Sequence, residues 1–90
     1  MKSRPILYIK SGCPWCRDAL SYFESQGVDL QVKDVLEDGE AKKRMKEISG
    51  QTLTPTFEYG DFVVADFGID EFVAASRKSP EVRDELGLKD

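Results

Sequence analysis

The sequence contains no histidine, and it has two cysteines among its 90 residues. The absence of histidine excludes Cys–His nucleophilic catalysis, histidine acid–base chemistry and every zinc site that uses imidazole. Two cysteines cannot complete a four-ligand zinc site within one chain unless carboxylates help. A structural disulfide between cysteines three positions apart would close a very short loop and stabilise the fold little. These absences favour the interpretation that the two cysteines perform redox chemistry.

Long hydrophobic runs and net positive charge are lacking as well. No apolar run approaches the roughly 20 residues of a membrane-spanning helix, and Ile6–Ile9 is shorter than the about 7 to 15 apolar residues of a signal peptide. The formal net charge of −4 disfavours attraction to nucleic acid or to an anionic membrane. We therefore expect a cytoplasmic monomer, folded as a single domain over residues 1–90, with no nucleic-acid and no membrane partner.

The first third of the chain has the pattern of a strand, a helix and a second strand. The apolar run Ile6–Ile9 is typical of a strand that is buried on both faces. Pro14 suits the first turn of a helix, and Gly27 suits its C-terminal end. One face of this helix carries apolar residues at helical spacing, namely Cys16, Ala19, Leu20 and Phe23. Alternation predicts the second strand, with Val28, Leu30 and Val32 on one face. A βαβ unit of this kind makes the two strands parallel.

The rest of the chain adds a helix, a hairpin and C-terminal helices. Helical spacing of Ala41, Met45 and Ile48 predicts a second helix that ends at Gly50, and its many charged residues are interpreted as a solvated face. Gly60 and Asp61 join two short apolar runs, as in an antiparallel hairpin. A third helix begins near Ile69, and Ser79 with Pro80 predicts a short fourth helix to Leu86. The predicted order, β-α-β-α-β-β-α, is an α/β fold with a four-stranded mixed sheet flanked by helices.

The segment "SGCPWC" lies where the first strand ends and the first helix begins, the sheet edge at which ligands collect in open α/β folds. Free backbone N–H groups at the helix start, together with Lys10 and Arg17, favour the thiolate of Cys13. Cys16 lies one helical turn further along, on the apolar face. We therefore predict that Cys13 attacks a disulfide and that Cys16 then resolves the mixed disulfide.

Two other features accompany the cysteines. Pro14 is common at the first helical position in any case, but it also fixes the spacing of the sulfurs. Trp15 lies between the cysteines and is expected to point out of the loop. In "TLTPTF", a cis bond between Thr54 and Pro55 would turn the backbone of Thr54 outward beside Cys13, where a peptide could pair with it as an added strand.

These segments together resemble the glutaredoxins, a branch of the thioredoxin fold. "YIKSGCPWC" is similar to the family's Y-x-K-x-x-C-P-Y-C segment, and "LTP" stands in the place of T-V-P. The resemblance implies a glutathione-dependent thiol–disulfide oxidoreductase that reduces protein disulfides or glutathione mixed disulfides, with glutathione as electron donor and no metal. It implies that Cys13 forms the mixed disulfide with glutathione. The glutathione-binding residues that it implies are Lys10, Pro14, Trp15, Thr54, Pro55, Asp66 and Phe67.

The segment "ADFGID" departs from the family pattern. Glutaredoxins carry G-G-C-D there, and those residues hold the γ-glutamyl end of glutathione. Counted without gaps from Pro55, Ala65 and Asp66 take the places of the glycines, and Gly68 takes that of the aspartate. Asp66 or Asp70 either replaces the missing acid or caps the next helix. An acid at position 66 would also repel the γ-glutamyl carboxylate.

Three alternatives remain open from the sequence. The same dithiol would serve a reductase that receives electrons from a thioredoxin-reductase-like flavoenzyme, which the changed "ADFGID" segment favours. An iron–sulfur carrier would use Cys13 of two chains and two glutathiones to hold a cluster. A binding module without catalysis would use the Thr54 edge alone.

Overall fold

The computed structural model describes residues 4–88, and it arranges them in four strands and four helices. The strands are β1 (Ile6–Ile9), β2 (Gln31–Asp34), β3 (Thr56–Tyr59) and β4 (Phe62–Ala65). The helices are α1 (Pro14–Ser25), α2 (Gly39–Ser49), α3 (Ile69–Arg77) and α4 (Pro80–Leu86). The order of elements confirms the prediction, including the short fourth helix. None of these helices has the length and apolar character that crossing a lipid bilayer requires.

The strands form one mixed sheet in the order β2-β1-β3-β4. Strand β1 is parallel to β2 and antiparallel to β3, and Leu7 lies opposite Val32 on one side and Phe57 on the other. Strands β3 and β4 form the predicted hairpin, with Tyr59 opposite Phe62 at its turn. The predicted thioredoxin-like α/β architecture is therefore confirmed.

The sheet is covered on both faces, because two apolar clusters pack against alternate residues of β1. Leu7 belongs to the larger cluster, which contains Phe23 of α1 and Phe72 of α3. Tyr8 points to the opposite face, where Met45 of α2 covers it. Both β1 side chains are fully buried, which confirms the prediction that β1 is buried on both faces.

Strand β2 differs from its prediction. It begins at Gln31 rather than near Val28, because the N–H of Leu30 bonds to the carbonyl of Val28 and turns the chain before the strand starts. Val28 and Leu30 pack against the larger cluster, but Val32 is 48% exposed and Val35 is the buried residue after the strand. The prediction that Val28, Leu30 and Val32 share one buried face of a strand is wrong, and the position of β2 at the sheet edge explains why Val32 lacks cover.

Candidate active site

Cys13 caps the N-terminus of α1 with both its backbone and its side chain. A turn at Gly12, whose φ is +83°, follows β1, and the N–H of Cys13 donates to the carbonyl of Lys10 at 3.2 Å. Pro14 occupies the first helical position, as predicted. The backbone N–H of Cys16 donates to Sγ of Cys13 at 3.3 Å. A backbone amide of the first helical turn therefore donates to this sulfur.

Thr54 approaches the same sulfur from the sheet side, across 41 positions of sequence. Its hydroxyl donates to Sγ of Cys13 at 3.8 Å, and its carbonyl oxygen lies 4.0 Å from that sulfur. The Thr54–Pro55 peptide bond is cis. The structure thus brings together the two segments that the sequence singled out.

Hydrogen bonds favour the ionised form of Cys13. Burial raises the pKa of its thiol, but hydrogen bonds from Cys16, Thr54 and Trp15 outweigh burial, so the pKa lies below the ordinary value for cysteine. The donors are the side chain and backbone of Cys16, the hydroxyl of Thr54 and the backbone of Trp15. A lowered pKa increases the fraction of nucleophilic thiolate at neutral pH.

Cys16 has the opposite character. Its side chain is 1% exposed, and burial, followed by the hydrogen bond to Cys13, raises the pKa of its thiol. Both cysteines are free thiols in the structure. The buried partner therefore holds its proton while the half-exposed one loses it, which is the asymmetry that an attacking and a resolving cysteine require.

The two flanking cations have a smaller part than predicted. Neither Lys10 nor Arg17 is among the main contributors to the lowered pKa of Cys13, which come from neutral donors. Arg17 is exposed on α1, and Lys10 is half-buried at the end of β1. The predicted direction of the pKa shift is confirmed, and hydrogen bonds are its main causes.

Trp15 is 61% exposed, which confirms that it points out of the loop. Its ring lies against the N-terminus of α3, where a Cβ added to Gly68 would stand 3.1 Å from Cζ3 of the indole. The N–H of Gly68 donates to Oε1 of Glu71 at 2.9 Å. A side chain at position 68 would therefore require the indole ring to shift by a few tenths of an ångström.

The remaining predicted contact residues fall into two groups. Pro14 and Asp66 are exposed near the cysteines, whereas the side chains of Pro55 and Phe67 are buried. The carbonyl of Pro55 accepts from the N–H of Asp66 at 2.9 Å, and Phe67 packs in the core with its ring 5.4 Å from that of Phe72. The buried side chains of Pro55 and Phe67 therefore support the site from the protein interior.

Two neighbouring cavities share Trp15, Gly68 and Glu71 in their linings, and we call them together the Trp15 groove. Apart from Trp15, its lining residues are Asp18, Asp66, Phe67, Gly68, Ile69, Asp70 and Glu71. Among residues 4–88, no three histidine, cysteine, aspartate or glutamate side chains are grouped so that they could hold a metal ion.

The expectation that Asp66 or Asp70 caps α3 is wrong. Gly68 is the capping residue, and the carboxylate that bonds to its N–H belongs to Glu71, three positions later. Neither residue of this pair was predicted to cap α3. The spacing of a capping residue and a glutamate at the third helical position is the signal that would have found them.

Comparisons with known proteins agree with this geometry. The sequence profile of the glutaredoxin family matches residues 6–64. A glutaredoxin-like 8.6 kDa protein of the rubredoxin operon of Clostridium pasteurianum is 25% identical over 61 residues, which are 68% of this chain and 81% of that protein.

Solved glutaredoxin structures share the fold. The glutaredoxin of Archaeoglobus fulgidus aligns over 83% of this chain and 87% of its own, with a TM-score of 0.72 and 22% identity. The buckwheat glutaredoxin–glutathione complex aligns over 96% of this chain and 81% of its own, with a TM-score of 0.68 and 20% identity. The family match covers the redox pair, Thr54 and the whole sheet except for the last residue of β4, and the chain therefore belongs to the glutaredoxin family.

Proposed function

We propose that this protein is a glutathione-dependent thiol–disulfide oxidoreductase that reduces protein disulfides or glutathione mixed disulfides. The observation that carries the proposal is the paired asymmetry of the dithiol. The pKa of Cys13 is lowered at a half-exposed helix start, and the pKa of Cys16 is raised in the core beside it. Membership in the glutaredoxin family supports the same chemistry.

The proposed reaction with a protein disulfide has two exchange steps. The Cys13 thiolate attacks one sulfur of the substrate, the substrate S–S bond breaks, and the other substrate sulfur leaves as a thiolate. Cys16 then attacks Sγ of Cys13, which releases the second substrate thiol and leaves a Cys13–Cys16 disulfide. The substrate gains two electrons and two protons. Two molecules of glutathione return the protein to the dithiol form and become glutathione disulfide.

Glutathione would bind around Cys13. We propose that Lys10 faces its glycine carboxylate, that Trp15 and Pro14 border it, and that the outward backbone of Thr54 pairs with its cysteine. The contact of the Thr54 carbonyl with Cys13 supports this placement, and so does the shared fold with a glutaredoxin that was solved with glutathione. We further propose that the protein acts as a monomer in the cytoplasm, where thiols are kept reduced.

A mass measurement tests the proposal directly. The Cys16→Ser variant, mixed with oxidised glutathione, should gain one glutathionyl group on Cys13 and keep it, because the resolving thiol is missing. The matched control is Cys13→Ser, which keeps the buried thiol and should stay unmodified. An unmodified Cys16→Ser protein, or an adduct on Cys16 in the control, would overturn the assignment.

A second candidate keeps the dithiol but receives electrons from a thioredoxin-reductase-like flavoenzyme. The N–H of Gly68 is already occupied by Glu71, and the Trp15 groove is acidic, so the γ-glutamyl carboxylate finds poor support there. Rapid turnover with glutathione and glutathione reductase, and none with thioredoxin reductase, would eliminate this candidate.

A further inference from the structure

The Trp15 groove is lined by carboxylates. Asp18, Asp66, Asp70 and Glu71 all contribute to it, and neither side of the groove is lined by a lysine or arginine that the structure describes. None of the four carboxylates forms an ion pair with another described residue. The groove therefore presents concentrated negative charge to anything that approaches it.

One backbone donor at the start of α3 is already bound to a carboxylate of this groove. The N–H of the capping Gly68 donates to Oε1 of Glu71 at 2.9 Å. Glu71 thus supplies an internal anion at the helix start. A second anion from a ligand would meet an occupied donor and four carboxylates.

The indole of Trp15 adds a separate feature that suits a cation. It is 61% exposed, and Trp15 lines both cavities of the groove together with the acidic residues. A tryptophan face attracts lysine and arginine side chains through the ring quadrupole. An aromatic face beside several carboxylates is complementary to a basic side chain.

The groove adjoins the reactive sulfur along two paths. Trp15, which lines the groove, lies in the first turn of α1, two residues after the capping Cys13. Asp66 also lines the groove, and its N–H bonds to the carbonyl of Pro55, which follows Thr54. A polypeptide whose disulfide is at Cys13 would therefore place a nearby side chain in the groove.

We propose that the Trp15 groove is a specificity subsite for a lysine or arginine of the substrate polypeptide, located a few residues from the disulfide that Cys13 attacks. This inference rests on the proposed thiol–disulfide exchange and deepens it by naming the substrate class. Asp66, Asp70 and Trp15 are the residues that set this preference. Glutathione would still serve as reductant, but the preferred disulfide substrates would be basic.

Single-turnover reduction of matched peptides tests the inference without glutathione. Three peptides share one intramolecular disulfide and differ in the two residues after it, which are lysine, serine or glutamate. The fully reduced protein, in excess, is mixed with each peptide, and the reduced peptide is measured after an acid quench. We expect the lysine peptide to react about tenfold faster than the glutamate peptide at low ionic strength, and the difference to shrink with added salt.

Charge variants assign that preference to the groove. Asp66→Asn with Asp70→Asn removes two groove carboxylates, and asparagine tolerates the φ of 51° at position 66. The double variant should lower the lysine-to-glutamate preference at least about threefold. The matched control is Asp61→Asn with Glu81→Gln, which makes the same charge change beside the turn at the opposite end of β3 and should keep the preference.

The outcomes separate the two proposals. Equal rates for the lysine and glutamate peptides, or equal loss of preference in the control variant, would overturn the groove assignment while leaving the exchange chemistry intact. Failure to reduce any of the three peptides would overturn the proposed function and the groove with it.

Discussion

Two acidic groups in this protein, the Cys13 thiol and the Glu58 carboxyl, titrate below their ordinary ranges for the same reason. In each, burial raises the pKa and hydrogen bonds to the ionised form outweigh burial. The partners differ. Glu58 accepts from the Arg44 guanidinium at 2.8 Å and from the Tyr8 hydroxyl at 2.7 Å. The main hydrogen-bond donors to the Cys13 thiolate are all neutral groups.

The difference separates a structural anion from a reactive one. Glu58 is 8% exposed in β3, and burial, followed by the hydrogen bond to Glu58, raises the pKa of Tyr8, so Tyr8 keeps the proton that it donates. A carboxylate closed in by a cation and a fixed hydroxyl has no free approach for a substrate. The thiolate of Cys13 is half-exposed, so a substrate can approach it from an open side.

Among the variants, Cys13→Ser is expected to separate the loss of activity from the loss of stability most strongly. Serine keeps the shape and the helix cap, but its hydroxyl does not ionise near neutral pH, so disulfide reduction should fall at least about a thousandfold. The free energy of unfolding should change by less than about 1 kcal/mol, because the side chain is half-exposed. A coupled turnover assay and urea unfolding measure the two quantities. Residual turnover within tenfold of the parent would show that Cys13 is not the nucleophile.

The reverse pattern is expected from Glu58→Ala. The Tyr8 hydroxyl loses its acceptor in the core, whereas Arg44 is half-exposed and regains water, so unfolding should become easier by about 2 kcal/mol. Turnover per folded molecule should stay within about twofold, because none of the three residues contacts Cys13. The matched control is Glu47→Ala on the exposed face of α2, with a change within about 0.5 kcal/mol. Equal destabilisation in both variants would mean that the hydrogen bonds of Glu58 with Tyr8 and Arg44 add nothing to the stability of the fold.

The Glu58 network also shows what sequence patterns cannot supply. The periodicity of the chain predicted every strand and helix, because apolar spacing and the glycine and proline boundaries act locally. It failed where the burial or the pairing of a residue depends on neighbours that are distant in sequence. Glu58 alternates with Phe57 as if it faced solvent, yet all four residues of β3 are buried, because β3 lies inside the sheet with helices on both faces. Arg44, interpreted as part of a solvated face, crosses from α2 to pair with it.

The same limit applies to the active site. Cys13, Cys16 and Trp15 could be predicted because their chemistry is contained in one short segment with a helix start. The hydroxyl of Thr54 was not assigned to the sulfur, although its backbone was placed there, because a contact across 41 positions depends on side-chain geometry. Glu71 was missed for a related reason. Its role depends on which residue begins α3, and "ADFGID" offers several candidates.

A smaller effect is expected in the pH dependence of stability. Because the pKa of Glu58 is lowered by folding, its stabilising contribution is complete above the ordinary glutamate pKa and is lost as the pH falls through the lowered value. Glu58→Gln keeps an acceptor for Tyr8 but cannot titrate, so its stability should depend less on pH in this acidic window. Urea unfolding at a series of pH values, with Glu47→Gln as the control, measures the difference. If the free energy of unfolding falls equally with acid in Glu58→Gln and in the parent protein, the assignment is contradicted.

The smallest and sharpest test concerns the neutral donors themselves. Thr54→Val keeps the β-branched shape and removes the hydroxyl that donates to Cys13, so the pKa of Cys13 should rise and alkylation at neutral pH should slow by about two- to fivefold. Thr52→Val, two positions earlier, is the matched control and should leave the titration unchanged. Iodoacetamide reaction rates measured against pH give the midpoint in each protein. If Thr54→Val leaves that midpoint in place while Lys10→Gln raises it, the thiolate is held by a cation after all, and the contrast between Cys13 and Glu58 disappears.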